Sequence, residues 1–230
     1  MFDRLESIIP KEKIELLKTK KIMIIGLGGV GGYVVESLVR SGITNLIIID
    51  KDIVDITNKN RQIIALNSTL GKSKVEVFKD RILDINKECN VEGLNIFLDI
   101  NNTFDIINKY HPDYVIDACD TVTTKVEIIK ACKELDIDFI SSMGTGNKLD
   151  PSKLLISDIK KTHTDPLAKV MRKLLRENNI KGKVDVLWST ELPIKNNNRT
   201  PGSSSFVPSS AGILIGSYVF NKLINDDIIK

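Results

Sequence analysis

Residues 21–50 read KIMIIGLGGVGGYVVESLVRSGITNLIIID, and this stretch decides the fold. It begins with a run of apolar residues, passes through a glycine-rich turn into an amphipathic segment, and ends with a second apolar run that closes at Asp50. Apolar runs of this length predict buried strands, and the segment between them predicts a helix. The order strand, glycine turn, helix, strand is typical of a nucleotide-binding βαβ unit.

The turn has the GxGxxG spacing, with glycines at Gly26, Gly28, Gly29 and Gly31. Glycines permit a tight turn and let backbone N–H groups approach a phosphate, which the positive end of the following helix also attracts. Asp50 lies 19 residues after Gly31, where a carboxylate can accept hydrogen bonds from ribose hydroxyls. We therefore expect an adenine nucleotide at this turn. The alternative is that the glycines serve only helix–strand packing.

The alternation of short β-branched runs with longer amphipathic stretches continues to residue 144 and then changes. The runs lack polar alternation, which indicates strands buried on both faces. The expected fold class is α/β: a Rossmann-like, doubly wound, mostly parallel sheet with helices on both faces and a C-terminal extension containing a crossover loop. The predicted strands are 21–26, 45–50, 91–97, 114–119, 138–144, 154–157 and 184–189. The predicted helices are 29–41, 71–87, 103–110, 123–136, 166–179 and a final apolar helix after the loop 193–205.

Composition places the chain among ordinary globular proteins. Its 230 residues carry 33 Lys and Arg against 30 Asp and Glu, a net charge of +3, and 42% of them are hydrophobic. These values exclude a histone-like basic coat and disorder as the main state. Three cysteines without CxxC spacing argue against a disulfide framework or zinc ribbon and fit a reducing cytoplasm. Neither a secretory signal nor a membrane span is expected, because Pro208 and several Gly and Ser residues interrupt the uncharged stretch 200–221.

Charged residues gather where the phosphates of a nucleotide are expected. Arg61 offers a forked donor and Lys74 stands at the start of a predicted helix, so both suit a triphosphate. Asp120 follows the fourth predicted strand, at the carboxyl edge of the sheet, where a carboxylate and phosphates together can bind Mg²⁺. The alternatives are a solvated helix face for Lys74 and a helix N-cap for Asp120.

Two other nucleotide sites fit the sequence less well. A Walker loop ending in the Gly-Lys-Ser sequence at 71–73 would need glycine at position 66, which is Leu66. A NAD-dependent dehydrogenase would satisfy the glycines but needs a proton-handling group near the nicotinamide. The candidate, His111, precedes a predicted strand and so falls at the wrong edge of a parallel sheet. ATP is thus the expected nucleotide, and the dehydrogenase stays a minor alternative.

Four motifs in order resemble the ubiquitin-activating-enzyme-like adenylating family, which includes the activators of molybdopterin and thiamine biosynthesis. They are GxGGVG (26–31), DxDxVxxTNxNRQ (50–62), GKxK (71–74) and DACD (117–120). The resemblance implies that Asp50 binds the ribose, that Asp120 holds Mg²⁺, and that Arg61, Lys74 and Asp120 are catalytic. It implies phosphate contacts from Asn58, Arg61, Gln62 and Lys74.

The resemblance also implies a homodimer. In this family an arginine from the partner subunit completes the adenylation pocket, and Arg4 stands at the matching place. Arg4 of one subunit would then be a catalytic residue of the other. The alternative is an ordinary surface arginine in a mobile N-terminus.

Three further motifs narrow the resemblance to bacterial members that dehydrate, or cyclise, a threonylcarbamoyl-modified adenosine in tRNA. They are SMGTGNKLDP (142–151), KTHTDPLAKVMR (161–172) and WSTELP (188–193). The implied reaction is adenylation of the threonylcarbamoyl carboxylate by ATP, followed by ring closure with loss of water. Residues 1–230 would then be one adenylating domain, with a nucleotide-binding core at 1–150 and an extension at 151–230 that faces substrate and tRNA and supports the dimer.

Cysteine usage separates this chain from other branches of the family. The two CxxC pairs common in the molybdopterin and thiamine activators are absent, and residues 190–210 contain no cysteine. A thioester step from the crossover loop is therefore not expected. Cys119 is expected to be a small buried strand residue. The loop region offers serines instead: Ser203, Ser204, Ser205, Ser209 and Ser210.

A basic segment fits a tRNA substrate. Residues 160–183 carry eight Lys and Arg against two acidic residues, a local charge of +6, so the rest of the chain sums to −3. Four of these cations fall at helical spacing on one face, which suits phosphate contacts that fix position without reading sequence. The alternative is a solvated helix face. The candidate tRNA contacts are Lys169, Arg172, Lys173 and Arg176.

Two other function classes stay open: an activator of the C-terminus of a ubiquitin-like sulfur-carrier protein, and a non-catalytic nucleotide-binding module. The basic helix favours tRNA, because an extended protein tail needs a groove rather than a cationic face. A sulfur-transfer or other protein partner also stays open. Some polar residues receive no definite role, although the first three follow the fifth predicted strand, at the edge where the substrate carboxyl is expected. They are Asn147, Lys148, Asp150, Asp165 and Glu191.

Overall fold

A computed structural model describes residues 1–195 and 200–225, and within them all the predicted strands form one mostly parallel sheet. Six strands are one or two residues shorter than predicted, and β6 is one residue longer. Most of the lost residues lie at the carboxyl ends of the strands, where they belong to the following loops. They are β1 (Lys21–Ile25), β2 (Asn45–Ile49), β3 (Asn90–Leu94), β4 (Tyr114–Asp117), β5 (Asp138–Ser142), β6 (Leu154–Asp158) and β7 (Asp185–Ser189). The predicted α/β, doubly wound fold class is confirmed.

The strand order is β3-β2-β1-β4-β5-β7-β6, and only β6 runs antiparallel to its neighbour, β7. In the register of the central pair, Ile25 lies beside Asp117, so β1 and β4 end together at the carboxyl edge. The strand order reverses between β1 and β4: β2 and β3 follow on one side of β1, whereas β4 and the later strands lie on the opposite side. Such a switch point leaves a crevice outside the strand ends, which is where ligands bind in open α/β sheets.

Helices cover both faces of the sheet. The predicted helices are found, and two short N-terminal helices that the sequence analysis did not predict precede β1. The helices are α1 (Asp3–Glu6), α2 (Lys11–Thr19), α3 (Gly31–Arg40), α4 (Lys74–Ile85), α5 (Thr103–Tyr110), α6 (Val122–Glu134), α7 (Pro166–Glu177) and α8 (Phe206–Asn225). The sequence did not predict α2, because only two of its nine residues, Ile14 and Leu17, are buried and its apolar periodicity is therefore weak.

Two apolar cores hold the layers together, one on each face of the sheet. The first contains side chains of α2, α3, α4 and α8, and the second contains those of α5, α6 and α7. α8 packs closely on α3, because Gly212 lacks a side chain where a Cβ would overlap the Val30 carbonyl oxygen. The final apolar helix is therefore a core helix. No helix in residues 1–195 and 200–225 combines the length and apolar character that a membrane crossing requires.

Candidate functional site

A cavity of about 840 Å³ opens at the carboxyl edge of the sheet, over the switch point between β1 and β4. Its wall contains nearly all of the predicted nucleotide-binding residues, which come from four separate segments of the chain. They are Gly26, Gly28, Gly29, Asp50, Asn58, Arg61, Gln62, Lys74 and Asp120. Gly31 does not border the cavity, because it serves the turn itself.

Asp50 fixes the conformation of the glycine turn through hydrogen bonds to the backbone. One carboxylate oxygen of Asp50 accepts a hydrogen bond from the backbone N–H of Leu27 at 2.7 Å, and the other accepts one from the backbone N–H of Asp52 at 2.8 Å. Gly26 has φ of +90°, a conformation that favours glycine. Asp50 therefore connects the end of β2 to the turn after β1. It also borders the cavity, where its carboxylate has lone pairs left to accept hydrogen bonds from a ligand.

Lys74 is buried, with only 4% of its surface exposed, and begins α4 as predicted. Its Nζ lies 2.9 Å from Oδ2 of Asp52 and 3.9 Å from Oδ2 of Asp50. The alternative of a solvated helix face is wrong for this residue. A buried ammonium group beside two carboxylates at the border of a cavity is positioned to exchange one partner for a phosphate.

The segment after β2 presents polar groups in fixed orientations. Nη1 of Arg61 donates to the Thr57 carbonyl oxygen at 2.9 Å and to Oδ1 of Asn60 at 3.0 Å, so the guanidinium group is held against its own loop. Asn58 is buried and its Oδ1 accepts the backbone N–H of Asp55 at 3.1 Å. Oε1 of Gln62 is buried and has no hydrogen-bond partner among the described residues. A buried acceptor at a cavity wall without a partner fits a site that a ligand completes.

Asp120 is exposed at the cavity border, three residues beyond the end of β4. The alternative of a helix N-cap is wrong, since the N-cap of α6 is Thr121 and no side chain caps that helix. The described residues contain no cluster of three or more His, Cys, Asp or Glu side chains that would form a metal cage. A single carboxylate beside a phosphate site still suits Mg²⁺, which binds through one or two carboxylates, phosphates and waters.

An apolar wall, which the sequence analysis did not single out, lies next to Asp50. Ile96, Phe97 and Leu98 follow β3 and border the cavity, and Phe97 exposes 42% of its surface there. Nζ of Lys51 lies 4.3 Å from the centre of the Phe97 ring. A flat apolar surface beside Asp50, the carboxylate expected to bind a ribose, suits an adenine ring. The sequence did not predict this wall, because the predicted strand 91–97 included Phe97, whereas β3 ends at Leu94.

The far part of the cavity contains a buried ion pair. Nζ of Lys148 donates to Oδ2 of Asp165 at 2.9 Å and to the Gly144 carbonyl oxygen at 2.5 Å. Oδ1 of Asp165 accepts the backbone N–H of Ala168 at 3.0 Å and so caps α7. Both charged side chains are buried, and both residues border the cavity. Both residues belong to motifs that the sequence revealed. No pattern in the sequence indicated that the two side chains, 17 residues apart in the chain, form an ion pair.

Two contacts join the loop after β5 to the crossover loop. The backbone N–H of Asn147 donates to the Gly202 carbonyl oxygen at 2.7 Å, and the Asn147 Oδ1 accepts the Gly202 N–H at 2.6 Å. The carboxylate of Glu191 accepts the N–H groups of Leu149 and Asp150, each at 2.9 Å. Asn147 and Glu191 therefore fix the loop that carries Lys148. Residues 196–199 of the predicted crossover loop lie outside the described part of the chain.

Asp150 has a local role. Its carboxylate accepts the hydroxyl of Ser152 at 2.6 Å and the backbone N–H of the same residue at 2.9 Å. These hydrogen bonds hold the pKa of Asp150 below its usual value. Asp150 thus caps the short turn that leads into β6 and does not border the cavity.

Cys119 lies two residues beyond β4, not within the strand as predicted, and it borders the cavity. Burial raises the pKa of its thiol well above the usual value, with the charge of Asp117 adding to the effect. The thiol is therefore protonated at neutral pH, and the thiolate needed for nucleophilic attack is disfavoured.

The basic helix α7 begins at the cavity and leads away from it. Pro166 and Leu167 border the cavity, whereas the four predicted tRNA contacts do not. Lys169, Lys173 and Arg176 are exposed, but Arg172 is half-buried, and its Nη1 donates to the carbonyl and hydroxyl oxygens of Thr162. Three of the four cations on the predicted face are therefore exposed to solvent. The fourth, Arg172, anchors α7 to the preceding turn.

Arg4 lies in α1 and is exposed, and it does not border the cavity of its own chain. His111, at the C-terminal end of α5, is exposed before β4, as expected for a residue at the other edge of the sheet. His163 is exposed and its ring meets Trp188 edge-on, with 4.6 Å between the ring centres. The structure therefore gives neither histidine a place in the cavity wall.

Comparisons with known proteins agree with this geometry. The model of the ThiF family matches residues 2–183. A tRNA threonylcarbamoyladenosine dehydratase of Bacillus subtilis is 44% identical over all of this chain and 96% of its own length. The crystal structure of Escherichia coli tRNA N6-threonylcarbamoyladenosine dehydratase in complex with ATP is 32% identical, with a TM-score of 0.94 over 100% of this chain and 96% of that one. The same enzyme in complex with AMP superposes with a TM-score of 0.92 at 32% identity, over 98% of this chain and 94% of that one.

Proposed function

This chain belongs to the ThiF family, and we propose that it is an ATP-dependent enzyme that dehydrates, and so cyclises, the threonylcarbamoyladenosine next to the anticodon of tRNA. One observation carries the proposal: the chain is similar over its whole length to a dehydratase with this substrate in its name. The cavity supports it, because the residues expected to bind ATP converge there from four segments.

The reaction has two steps. A carboxylate oxygen of the threonylcarbamoyl group attacks the α-phosphorus of ATP, the bond to the β-phosphate breaks, and pyrophosphate leaves. The ureido group of the same side chain then attacks the activated carbonyl carbon, its N–H proton passes to solvent, and the bond to AMP breaks. The oxygen lost from the substrate thus leaves in the phosphate of AMP. Both reacting groups belong to one molecule, so proximity supplies much of the rate and no cysteine nucleophile is needed.

The nucleotide is bound by the predicted polar residues together with the apolar wall beside Asp50. The adenine ring lies on the wall formed by Ile96, Phe97 and Leu98, and Asp50 accepts hydrogen bonds from the ribose. The glycine turn receives the phosphates at the start of α3. The remaining polar groups bind the triphosphate: Asn58, Arg61, Gln62 and Lys74.

Charge develops on the phosphate oxygens during the first step, and Arg61 and Lys74 stabilise it. Lys74 does so by turning from Asp52, which is half-exposed and can be solvated instead. Asp120 is the residue that would hold Mg²⁺, and the ion would supply positive charge that offsets part of the charge of the phosphates. The exposed carboxylate at the cavity border supports this assignment.

The tRNA lies along α7. Its exposed cations Lys169, Lys173 and Arg176 bind backbone phosphates, and because α7 starts at the cavity, they guide the anticodon region toward the site. The enzyme is a homodimer in which Arg4 of the partner subunit completes the phosphate site. This assignment is supported by the exposure of Arg4 and by its absence from the cavity wall of its own chain.

The test is mass spectrometry of nucleosides from tRNA that carries threonylcarbamoyladenosine, incubated with the protein, Mg²⁺ and ATP. We expect the modified nucleoside to lose one water only when ATP is present, and the Asp120→Ala variant to lose this activity. If the carboxylate is labelled with heavy oxygen, the label should appear in AMP. An unchanged nucleoside mass, with ATP–pyrophosphate exchange only after addition of a small protein ending in Gly-Gly, would instead favour an activator of a sulfur carrier.

A further inference from the structure

The second half of the cavity contains charges that ATP binding does not use. The described residues contain two ion pairs in which both side chains are at most 1% exposed: Lys148 with Asp165, and Lys125 with Asp117. Only the first pair borders the cavity. The desolvation cost of burying two charges largely cancels their mutual attraction, so a buried ion pair adds little net stability. A function at the cavity wall is therefore a better explanation for this pair than stability.

The ammonium group of Lys148 is held in place but not saturated. It has three N–H donors, and the described residues provide two acceptors, the Gly144 carbonyl oxygen at 2.5 Å and Oδ2 of Asp165 at 2.9 Å. All three residues border the cavity. The third N–H of this buried ammonium group has no acceptor among the described residues, and it can donate to a ligand in the cavity.

The surroundings of Lys148 keep it rigid. Asp165 is fixed by the backbone N–H of Ala168, and the Lys148 carbonyl oxygen accepts the hydroxyl of Ser204 at 3.4 Å. Asn147 and Glu191 tie the flanking residues to the crossover loop. A donor that cannot move away loses little energy to reorganisation during a reaction, which is the condition for strong electrostatic stabilisation of a transition state.

By contrast, Lys125 is saturated. Its Nζ contacts Oδ2 of Asp117 at 3.0 Å, the Ser142 carbonyl oxygen at 2.8 Å and Oγ of Ser141 at 3.4 Å. It lies behind the strand ends and does not border the cavity. The two pairs therefore have similar burial and the same charges but differ in their access to a ligand.

We propose that Lys148 is a catalytic residue whose free N–H donates to the substrate carboxyl group; the proposal rests on the function proposed above. The contacted atom is the carboxylate oxygen that does not attack phosphorus. That oxygen becomes the carbonyl oxygen of the acyl-adenylate, and it gains negative charge when the ureido group attacks the carbon. A single hydrogen bond thus orients the carboxylate in the first step and stabilises the oxyanion in the second. Lys148 keeps its protons throughout, and Asp165 is a positioning residue.

The experiment measures the single-turnover rate of ring closure with saturating ATP and modified tRNA, together with ATP affinity and the melting temperature. In Lys148→Met we expect ring closure to slow roughly 100- to 1,000-fold, the loss typical of removing one oxyanion donor. ATP affinity should stay unchanged. Lys87→Met is the control, since Lys87 is an exposed lysine just before β3, at the opposite edge of the sheet, and it should close the ring at the wild-type rate.

A second variant guards against misfolding. Removing Lys148 alone leaves the Asp165 carboxylate buried without its partner, whereas removing both charges of a buried pair is often tolerated. In Lys148→Met/Asp165→Asn the asparagine oxygen can still cap α7, and we expect the same loss of ring closure with ATP affinity retained. Lys125→Met/Asp117→Asn shows what deletion of a buried ion pair alone does to the melting temperature and to ATP affinity.

The outcomes separate the two proposals. Wild-type protein that fails to dehydrate the nucleoside would refute the proposed function, whatever the variants do. Active wild-type protein with a folded Lys148→Met variant that closes the ring at the same rate would overturn the role of Lys148 only. A loss of ATP affinity parallel to the loss of ring closure, or unfolding of both Lys148 variants, would make the pair structural and also overturn it.

Discussion

Gly28 and Gly31 belong to one turn but satisfy different physical requirements. A Cβ at position 31 would overlap the Gly26 carbonyl oxygen and stand 3.3 Å from the Cβ of Ala118, so this glycine is required by the turn itself. A Cβ at position 28, which borders the cavity, would meet only Nε2 of Gln62, at 3.8 Å. The GxGxxG pattern therefore combines a packing requirement with a ligand requirement.

The two glycines should separate folding from binding. We expect Gly28→Ala to melt within about 2 °C of wild type, because its Cβ causes no clash, and to bind ATP about tenfold more weakly, because the methyl group keeps the phosphate from the backbone. Gly31→Ala should lower the melting temperature and abolish ATP binding together. Calorimetric ATP titration and thermal unfolding measure both effects. Equal ATP affinity in Gly28→Ala and wild type would contradict a phosphate site at this turn.

At this scale, a residue's position in the site is predictable where it depends on the residue's neighbours in the chain. Gly26, Asp50 and Lys74 follow or begin elements whose positions the hydrophobic pattern predicts, so their meeting at one sheet edge follows from the fold. Lys148 and Asp165 could not be assigned in the same way. Their pairing depends on how the loop after β5 packs against α7, and no periodicity of the sequence reports loop packing.

At the scale of elements, α7 divides its cations between two tasks. Arg172 hydrogen-bonds Thr162 and anchors the helix, while Lys169, Lys173 and Arg176 are exposed. Helical spacing placed all four cations on one face of the helix. It does not predict which of these side chains is long enough to hydrogen-bond a neighbouring segment, as Arg172 does. The antiparallel direction of β6 was likewise not predicted, since a short apolar run carries no information on strand direction.

Charge reversal on α7 should weaken tRNA binding without affecting ATP. In Lys169→Glu/Lys173→Glu/Arg176→Glu we expect a large loss of tRNA affinity at low salt, and a plot of log affinity against log salt concentration that is shallower by about 2 to 3. Filter binding at several salt concentrations measures both. Lys11→Glu/Lys87→Glu/Lys109→Glu, with exposed lysines on α2, before β3 and at the end of α5, makes the same change in net charge and is the control. A salt slope equal to that of the control would remove α7 from the tRNA interface.

Glu36 of α3 forms ion pairs with Arg81 of α4 and with Arg40 of its own helix. Its Oε2 lies 2.7 Å from Nε of Arg81, and its Oε1 lies 2.7 Å from Nη2 of Arg40. Burial raises the pKa of the Glu36 carboxyl, but the hydrogen bonds from Arg81 and Arg40 outweigh it, so the net pKa lies below the ordinary 4.5. A carboxyl with a lowered pKa in the folded state stabilises the fold above its unfolded pKa and stops doing so as the pH falls through the folded value.

The stability of α3 on α4 should therefore depend on pH in a defined direction. We expect Glu36→Gln to cost about 1 to 2 kcal/mol near pH 7, a drop of roughly 3 to 6 °C in melting temperature. Below pH 4.5 the difference between variant and wild type should shrink, because wild-type Glu36 also becomes neutral. Thermal unfolding from pH 3.5 to 7.5 measures it, with the exposed Glu134→Gln as control. A difference that stays constant over this range would rule out the ion pair as its cause.

At the scale of the whole molecule, the residues proposed to act in the reaction lie at one edge of the sheet, with one exception. The exception is the arginine that a second subunit is expected to place near the phosphates. Arg4 is exposed on α1, outside the cavity wall, so a role in catalysis requires that it act on another chain. A twofold dimer with the same contact on both sides would then contain two equivalent sites, each built from both chains. Only the family resemblance pointed to this role of Arg4, because a partner's residue leaves no hydrophobic or charge pattern in the chain that uses it.

Shared sites predict complementation between two inactive variants. Arg4→Ala lacks the arginine it gives to its partner, and Asp120→Ala lacks its own metal-binding carboxylate, so each homodimer should be inactive. In a mixed dimer, the site with intact Asp120 receives Arg4 from the other chain and works, while the second site has neither. After unfolding and refolding an equal mixture, half of the dimers are mixed, so we expect about a quarter of the wild-type dehydration rate. Arg4 acting within its own chain would leave the mixture inactive, because no chain would then contain both residues.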